Sequence, residues 1–170
     1  MKKIKKSGFT LIELITAIVI MGILLAITMN SYINSLNKSK LANLKVNMST
    51  FQTMLETYAV KNDNIYPVNS DELRIDGLKT GTDKPYWRDF NNPITGAIGK
   101  SNSSTSPGSY TDIIGSLPVN ASRGVVAYNP MNESGKVTSI YFIYSAGFKG
   151  EWLKDDSITG NPIYIISNAD

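Results

Sequence analysis

Hydrophobic residues fill the chain from Phe9 to Met29 almost without a break, FTLIELITAIVIMGILLAITM, with Glu13 the one charge in 21 positions. At about 1.5 Å per residue a helix of that length spans roughly 30 Å, the thickness of a bilayer's hydrocarbon core. Farther along, the apolar character narrows to a stripe: Leu41, Leu44, Met48, Phe51, Leu55 and Tyr58 recur at steps of three and four. That is one face of a helix, and Lys45, Asn47, Gln52 and Glu56 are expected to point elsewhere. Asn62, Asp63 and Asn64 read as the stop, with the first proline, Pro67, beyond them. The pattern predicts one helix over residues 9–61, roughly 80 Å long. Residues 9–29 are apolar all round and residues 30–61 are amphipathic. Asn30, Ser31, Asn34 and Asn37 are weak helix formers and mark 30–38 as a place for a bend.

The remainder, 62–170, reads as a globular head. Its first part, 62–123, is irregular and turn-rich: NDN, DG, TGTDKP, NNP, and the low-complexity surface loop Ser101–Ser109. A short helical turn is expected at Ser70–Leu73, capped by Ser70 or Asp71, and Trp87 and Phe90 are expected to pack inward. Strand signals come late, placing a sheet within 124–170. They are Val125–Tyr128, a hairpin turn at Asn132–Gly135 leading into Val137–Ser145, and Ile163–Ile166 after Asn161-Pro162. In the last part of that hairpin Ile140, Phe142 and Tyr144 alternate with Tyr141 and Ile143, so both faces of the sheet are expected to be covered. The predicted class is α+β: a long N-terminal helix packed on a small antiparallel sheet.

Composition removes several functions. With no cysteine there is no disulfide framework and no thiolate chemistry, and with no histidine the commonest general base and metal ligand are absent. Lys2, Lys3, Lys5 and Lys6 supply four of the 17 basic residues, and from Phe9 onward acidic residues outnumber basic ones by one. The formal charge of +3 therefore belongs to the N-terminal tip, and nucleic acid is not an expected partner. Lysines before the apolar run and none within it place that tip on the cytoplasmic side, and the head outside. No phosphate loop, nucleophile elbow or His-Cys ligand set occurs, so no catalytic residue, cofactor or metal is assigned and an enzyme is not expected.

A short basic leader ending at Gly8 and followed by Phe9-Thr10-Leu11-Ile12-Glu13-Leu14-Ile15 resembles the class III signal of type IV pilins and type II secretion pseudopilins. The resemblance is close over residues 5–29 and architectural beyond them. It implies removal of leader residues 1–8 by a prepilin peptidase that cuts between Gly8 and Phe9 and methylates the new amine of Phe9. It implies assembly through Phe9, Thr10 and Glu13, the Glu13 carboxylate meeting the Phe9 amine of a neighbouring subunit. It also implies partners: copies of itself, an inner-membrane platform protein and an assembly ATPase complex. An ordinary cleaved signal peptide fits worse, because the apolar run is too long and no small-residue cleavage site follows it.

Physical chemistry bears on the same residues. A carboxylate in a membrane helix costs a few kcal/mol unless paired. The plainer readings of Glu13 are a side chain reaching water at the membrane edge, or one favoured by its own helix N-terminus. Gly22 costs about 1 kcal/mol relative to alanine in an ordinary helix. It permits close helix approach in lipid, and it matches the family glycine at one end of a segment often found unwound. Asn30 stands where the family often has proline, so an intact and an unwound helix both remain open there. Lys38, Lys40, Lys45 and Lys61 are assigned to neighbouring subunits or solvent. Ser145–Asp156 (SAGFKGEWLKDD) looks faintly like a calcium-holding pseudopilin loop, but Lys149 and Lys154 stand among its carboxylates and a solvated turn is the preferred reading.

The expected function is a structural subunit, preferentially a major pilin, of a type IV pilus serving adhesion or motility. The precursor sits in the inner membrane and the product at the cell surface. The alternatives are a major pseudopilin driving protein export, a minor pilin displaying a surface for adhesion or DNA uptake, and an uncleaved signal-anchored membrane protein.

Overall fold

Residues 8–79, 85–101, 107–114, 116–119, 121–131, 140–154 and 165–168 are described by a computed structural model of the chain. Two units divide after the first part of the long helix, Met1–Ser39 and Lys40–Asp170. In the first unit, helix α1 begins at Leu11, and it runs without interruption into the second, ending at Lys61. Each residue from Gly8 to Leu36 is exposed. The weak helix formers at 30–38 do not break the helix.

Within the second unit α1 presents Leu44, Met48, Phe51, Met54, Leu55, Tyr58 and Ala59 to the interior. Met54 and Ala59 widen the stripe read from the sequence, because a helix packed on a sheet buries a face of more than about 100° rather than a single line. The helix stops where Asp63 and Asn64 adopt φ values of 54° and 61°, a left-handed turn that asparagine and aspartate tolerate better than most residues. The Asn62 side chain donates to the Tyr58 carbonyl at 2.9 Å, satisfying one of the helix's orphan acceptors.

Helix α2 spans Ser70–Leu78. Its cap is Asn69, whose side chain accepts from the Glu72 N–H at 2.8 Å. Ser70 and Asp71, the caps expected from sequence, are otherwise engaged. The Ser70 N–H and hydroxyl both donate to Asp112, at 2.8 and 2.9 Å, and Asp71 is ion-paired with Lys100. Gly77 is required by packing: a Cβ there would lie 2.8 Å from the Trp87 Cβ.

Four strands form one sheet in the order β1 (Tyr110–Asp112), β2 (Val126–Pro130), β3 (Tyr141–Ser145), β4 (Ile166–Ser167). The sheet is mixed. β2 pairs antiparallel with β3, placing Tyr128 opposite Ile143, and β3 antiparallel with β4. β1 runs parallel to β2, with Thr111 opposite Ala127. The expected all-antiparallel sheet confined to 124–170 is thus corrected on both points. A three-residue strand shows no alternation to read, and a parallel neighbour leaves no hairpin signature. The expected turn at Asn132–Gly135, residues 137–139 of the following strand, residues 163–164 of the last one and residues 102–106 of the serine-rich loop lie outside the described residues.

Period-two alternation gives the sheet two cores. Val126, Tyr128, Tyr141 and Ile143 pack with the α1 stripe, Leu73, Trp87, Phe90 and Tyr110. Val125, Ala127 and Tyr144 face the other way and pack with Ile113, Ala146 and Trp152. Phe51 is the hub of the first core, with the rings of Trp87, Phe90, Tyr110 and Tyr128 centred 5.8–6.4 Å away.

Candidate assembly site at the N-terminus of the long helix

The sequence T-L-I-E at Thr10–Glu13 folds as a reciprocal capping box. Thr10 is the last residue before α1, and its carbonyl accepts the first helical bond, from Leu14 N–H at 3.2 Å. The Glu13 N–H reaches the Thr10 hydroxyl oxygen at 3.4 Å. In return, the Thr10 N–H and hydroxyl both donate to one oxygen of the Glu13 carboxylate, Oε2, at 2.9 and 2.7 Å. Two donors and the positive end of the helix thus converge on the acid at the edge of the apolar segment. A Glu13 so placed is anchored rather than free to swing.

Gly8 and Phe9 precede the cap. Phe9 is 78% exposed, and nothing lies within 4 Å of where a Gly8 side chain would begin. The site residues Phe9, Thr10 and Glu13 therefore fall together within one turn, while the proposed flexible positions Gly22 and Asn30 lie farther along, both inside the unbroken helix. Gly22 likewise has open space around it. Leader residues 1–7 lie outside the described residues.

Between Glu13 and Met29 there is no charge. The most apolar window of α1 has a mean hydropathy of 2.6 and none of it is buried within the chain. Its two later threonines hide their hydroxyls: Thr16 donates to the Ile12 carbonyl at 2.7 Å and Thr28 to that of Leu24 at 3.0 Å. With backbone and hydroxyls satisfied internally, the segment is dressed for a medium that offers no hydrogen bonds.

Several polar side chains of the head bond one another. Glu56 was expected to point away from the core; instead it accepts the hydroxyls of Tyr141 at 2.6 Å and Tyr66 at 2.9 Å. Tyr58 donates to Glu72 at 2.9 Å and Tyr86 to Asp76 at 2.8 Å. Burial pushes the phenols of Tyr58, Tyr66, Tyr86 and Tyr141 up, and the adjoining carboxylates add to it. Lys100 lies between Asp71 and Asp112, the latter at 2.7 Å. Burial opposes its charge, but the bonds to Asp112 and Asp71 prevail and raise its pKa. A surface pocket of about 530 Å³ is lined by Tyr58, Glu72, Asp76 and Lys79 among others, and its acids are those already engaged in these bonds. Among the described residues no group of three acids gathers to hold a metal. In the loop at Ser145–Lys154, Glu151 receives the Lys149 N–H at 2.7 Å, while Asp155 and Asp156 lie outside the described residues.

The capping box is the feature the sequence reading passed over, although its signal, a threonine three residues before a glutamate at the head of an apolar run, was present. Residues 3–29 match the family model described as the prokaryotic N-terminal methylation motif. No curated protein and no solved structure matches the chain.

Proposed function

We propose that this chain, whose methylation motif supports a place in the type IV pilin and pseudopilin family, is a precursor subunit of a helical surface filament, preferentially a major pilin. The observation that carries the reading is the conjunction at one helix end. A methylation motif over residues 3–29 overlies a wholly exposed apolar segment headed by the anchored acid Glu13. The motif implies prepilin peptidase processing and a pilus-type assembly machinery, and the apolar helix fits membrane anchoring of the precursor.

The mechanism follows from solvent exchange. An apolar helix has two acceptable surroundings, lipid and a bundle of its own copies, and passage from one to the other keeps its surface out of water. Cleavage after Gly8 would free an ammonium on Phe9 close to the Glu13 carboxylate. Thr10 bonds only Oε2, so the second carboxylate oxygen can accept the amine of an incoming subunit while the cap keeps the acid in place. Repeated head-to-tail contacts that do not close a ring then yield an open filament.

The deciding experiment is mass spectrometry of the N-terminal peptide from the mature protein. A chain beginning at methylated Phe9 is expected. One beginning at Met1 overturns the reading in favour of an uncleaved anchor. Deleting the gene and scoring surface filaments against exported proteins separates a pilus from a secretion pseudopilus.

A further inference from the structure

Three segments of the head are drawn together around one buried amide. Asn92 is 1% exposed. Its Nδ2 donates to the carbonyls of Gly108 at 2.8 Å and Arg123 at 2.7 Å. Its Oδ1 accepts the N–H groups of Ile94 at 2.9 Å and Thr95 at 3.0 Å. Both donors and both lone pairs of the side chain are thus used. Gly124, at φ 73°, passes so close that a Cβ there would lie 2.1 Å from Asn92 Oδ1. A buried network satisfied in this way holds its backbone partners in one arrangement.

Between those segments lies a pocket of about 450 Å³, lined by Ile94, Thr95, Pro107, Ala121, Ser122 and Arg123. Small-molecule pockets span about 300–1,000 Å³. The Asn92 bonds fix its walls at Ile94, Thr95 and Arg123, so the shape is set before anything binds. Arg123 stands at the corner of a tight turn, closed by the Val125 N–H to the Ser122 carbonyl at 3.3 Å. Its side chain is exposed, and among the described residues no acid pairs with its guanidinium. No acid lines the pocket either. In the pocket beside α2, by comparison, Asp71, Glu72 and Asp76 are bonded to Lys100, Tyr58 and Tyr86.

We propose that the pocket at Arg123 binds a sugar ring that carries a carboxylate. A guanidinium takes a carboxylate through two parallel charge-assisted bonds. The hydroxyls of Thr95 and Ser122 suit ring hydroxyls, since each group can donate or accept as its partner requires. Ile94, Pro107 and Ala121 offer apolar surface to the C–H face of the ring. Inorganic phosphate would leave that apolar lining uncovered. A peptide terminus ordinarily pairs its backbone along a strand edge, whereas this lining meets its ligand with side chains. The site lies wholly in the head and does not depend on the filament reading.

The test is an NMR titration of the detergent-solubilised full chain. Methyl β-glucuronide and methyl α-sialoside are the carboxylated rings, and methyl β-glucoside is the neutral one. An N-acetylated tripeptide with a free C-terminal carboxylate and inorganic phosphate complete the set. At least one carboxylated ring should bind at least about tenfold more tightly than the glucoside, and Arg123→Gln should erase that preference. Arg123→Gln leaves the Asn92 bonds in place, because they reach the backbone. Should it nevertheless unfold, Thr95→Val is read instead and should weaken the carboxylated ring at least about threefold. Equal binding of charged and neutral rings, no binding of either carboxylated ring, or a preference unmoved by the substitution overturns the proposal. Tighter binding of the tripeptide or of phosphate overturns the choice of ligand. A mature chain beginning at Met1 would end the filament reading and leave this site standing.

Discussion

Leu14 and Leu55 belong to the same helix, yet one is 57% exposed and the other fully buried. Neighbours decide the difference. Around Leu55 the apolar residues keep to one face, and the chain supplies that face with a sheet and an aromatic core. Around Leu14 they occupy every direction, and no single small head can cover a rod on all sides. The face of α1 around Leu55 is therefore covered within the chain, while the segment around Leu14 is a demand on its surroundings. Substitutions in the two parts should accordingly fail differently: around Leu14 by loss of assembly, around Leu55 by loss of folding.

The largest effect is expected at Glu13. Glu13→Ala removes the carboxylate half of the capping box, leaving the residue-13 N–H to bond the Thr10 hydroxyl, and removes the acid proposed to meet the Phe9 amine. Surface polymer should fall by more than about tenfold. Thermal unfolding of the head, followed by near-ultraviolet circular dichroism on the detergent-solubilised chain, should not change. Thr10→Val sharpens the point, since it deletes only the hydroxyl that holds Oε2. Assembly should weaken less than in Glu13→Ala. Normal polymer from Glu13→Ala breaks the comparison outright.

Phe51→Ala is the counterpart in the buried part. Its ring meets four other aromatic rings and none of its surface reaches solvent. Removing it should cost the head about 3–5 kcal/mol in denaturant unfolding, transfer and cavity contributions together. Leader removal should proceed as before, because the cleavage region is in the other unit. If Phe51→Ala blocked processing while the head stayed folded, the division of labour along α1 would be wrong.

This contrast explains what sequence can announce. The Leu41–Tyr58 stripe, half-buried at Leu41 and buried from Leu44 on, and the apolar run were legible because helical periodicity is local, each residue's partners lying three or four positions away. The same locality made the T-x-x-E cap readable in principle. Glu56 was misjudged because its partners, Tyr66 and Tyr141, are 10 and 85 positions distant, and a glutamate on a helix flank looks alike whether it meets water or phenols. β1 escaped for a related reason: its pairing with β2 depends on a parallel crossover that leaves no turn residues to read. At the candidate assembly site, Phe9, Thr10 and Glu13 were named through the resemblance of the leader and the residues after it to a known signal. The seating of Glu13 by its own cap required coordinates.

Tyr141→Phe tests that non-local bond. Losing one of the two hydroxyls that Glu56 accepts should destabilise the head by about 1–2 kcal/mol, measured by urea unfolding, with assembly of the folded fraction intact. Asn69→Ala comes next, at about 1 kcal/mol, because it leaves the Glu72 N–H without the cap that starts α2. Ser70→Ala provides the contrast: it removes the hydroxyl bond to Asp112 and leaves both the Ser70 N–H bond and the Asn69 cap, and because the two residues are neighbours the double variant should depart from additivity.

The smallest effect is one of pH and concerns Asp76. Burial raises its pKa, but the bonds from Tyr86 and Lys79 outweigh burial and hold it below the ordinary carboxylate value. A carboxylate with a depressed folded pKa contributes stability that is complete above the unfolded pKa of about 3.9, and loses it as pH falls through the folded pKa. Comparing the chain with Asp76→Asn across pH 2–7 isolates this contribution, since asparagine does not titrate. The stability difference between them should be constant above about pH 5 and shrink as the solution is acidified. A difference that persists unchanged at pH 2 would mean that the Asp76 charge contributes nothing and that only its shape holds Tyr86. The head would then rest on packing alone at this corner, as it does around Phe51, and the depressed pKa would have no consequence for folding.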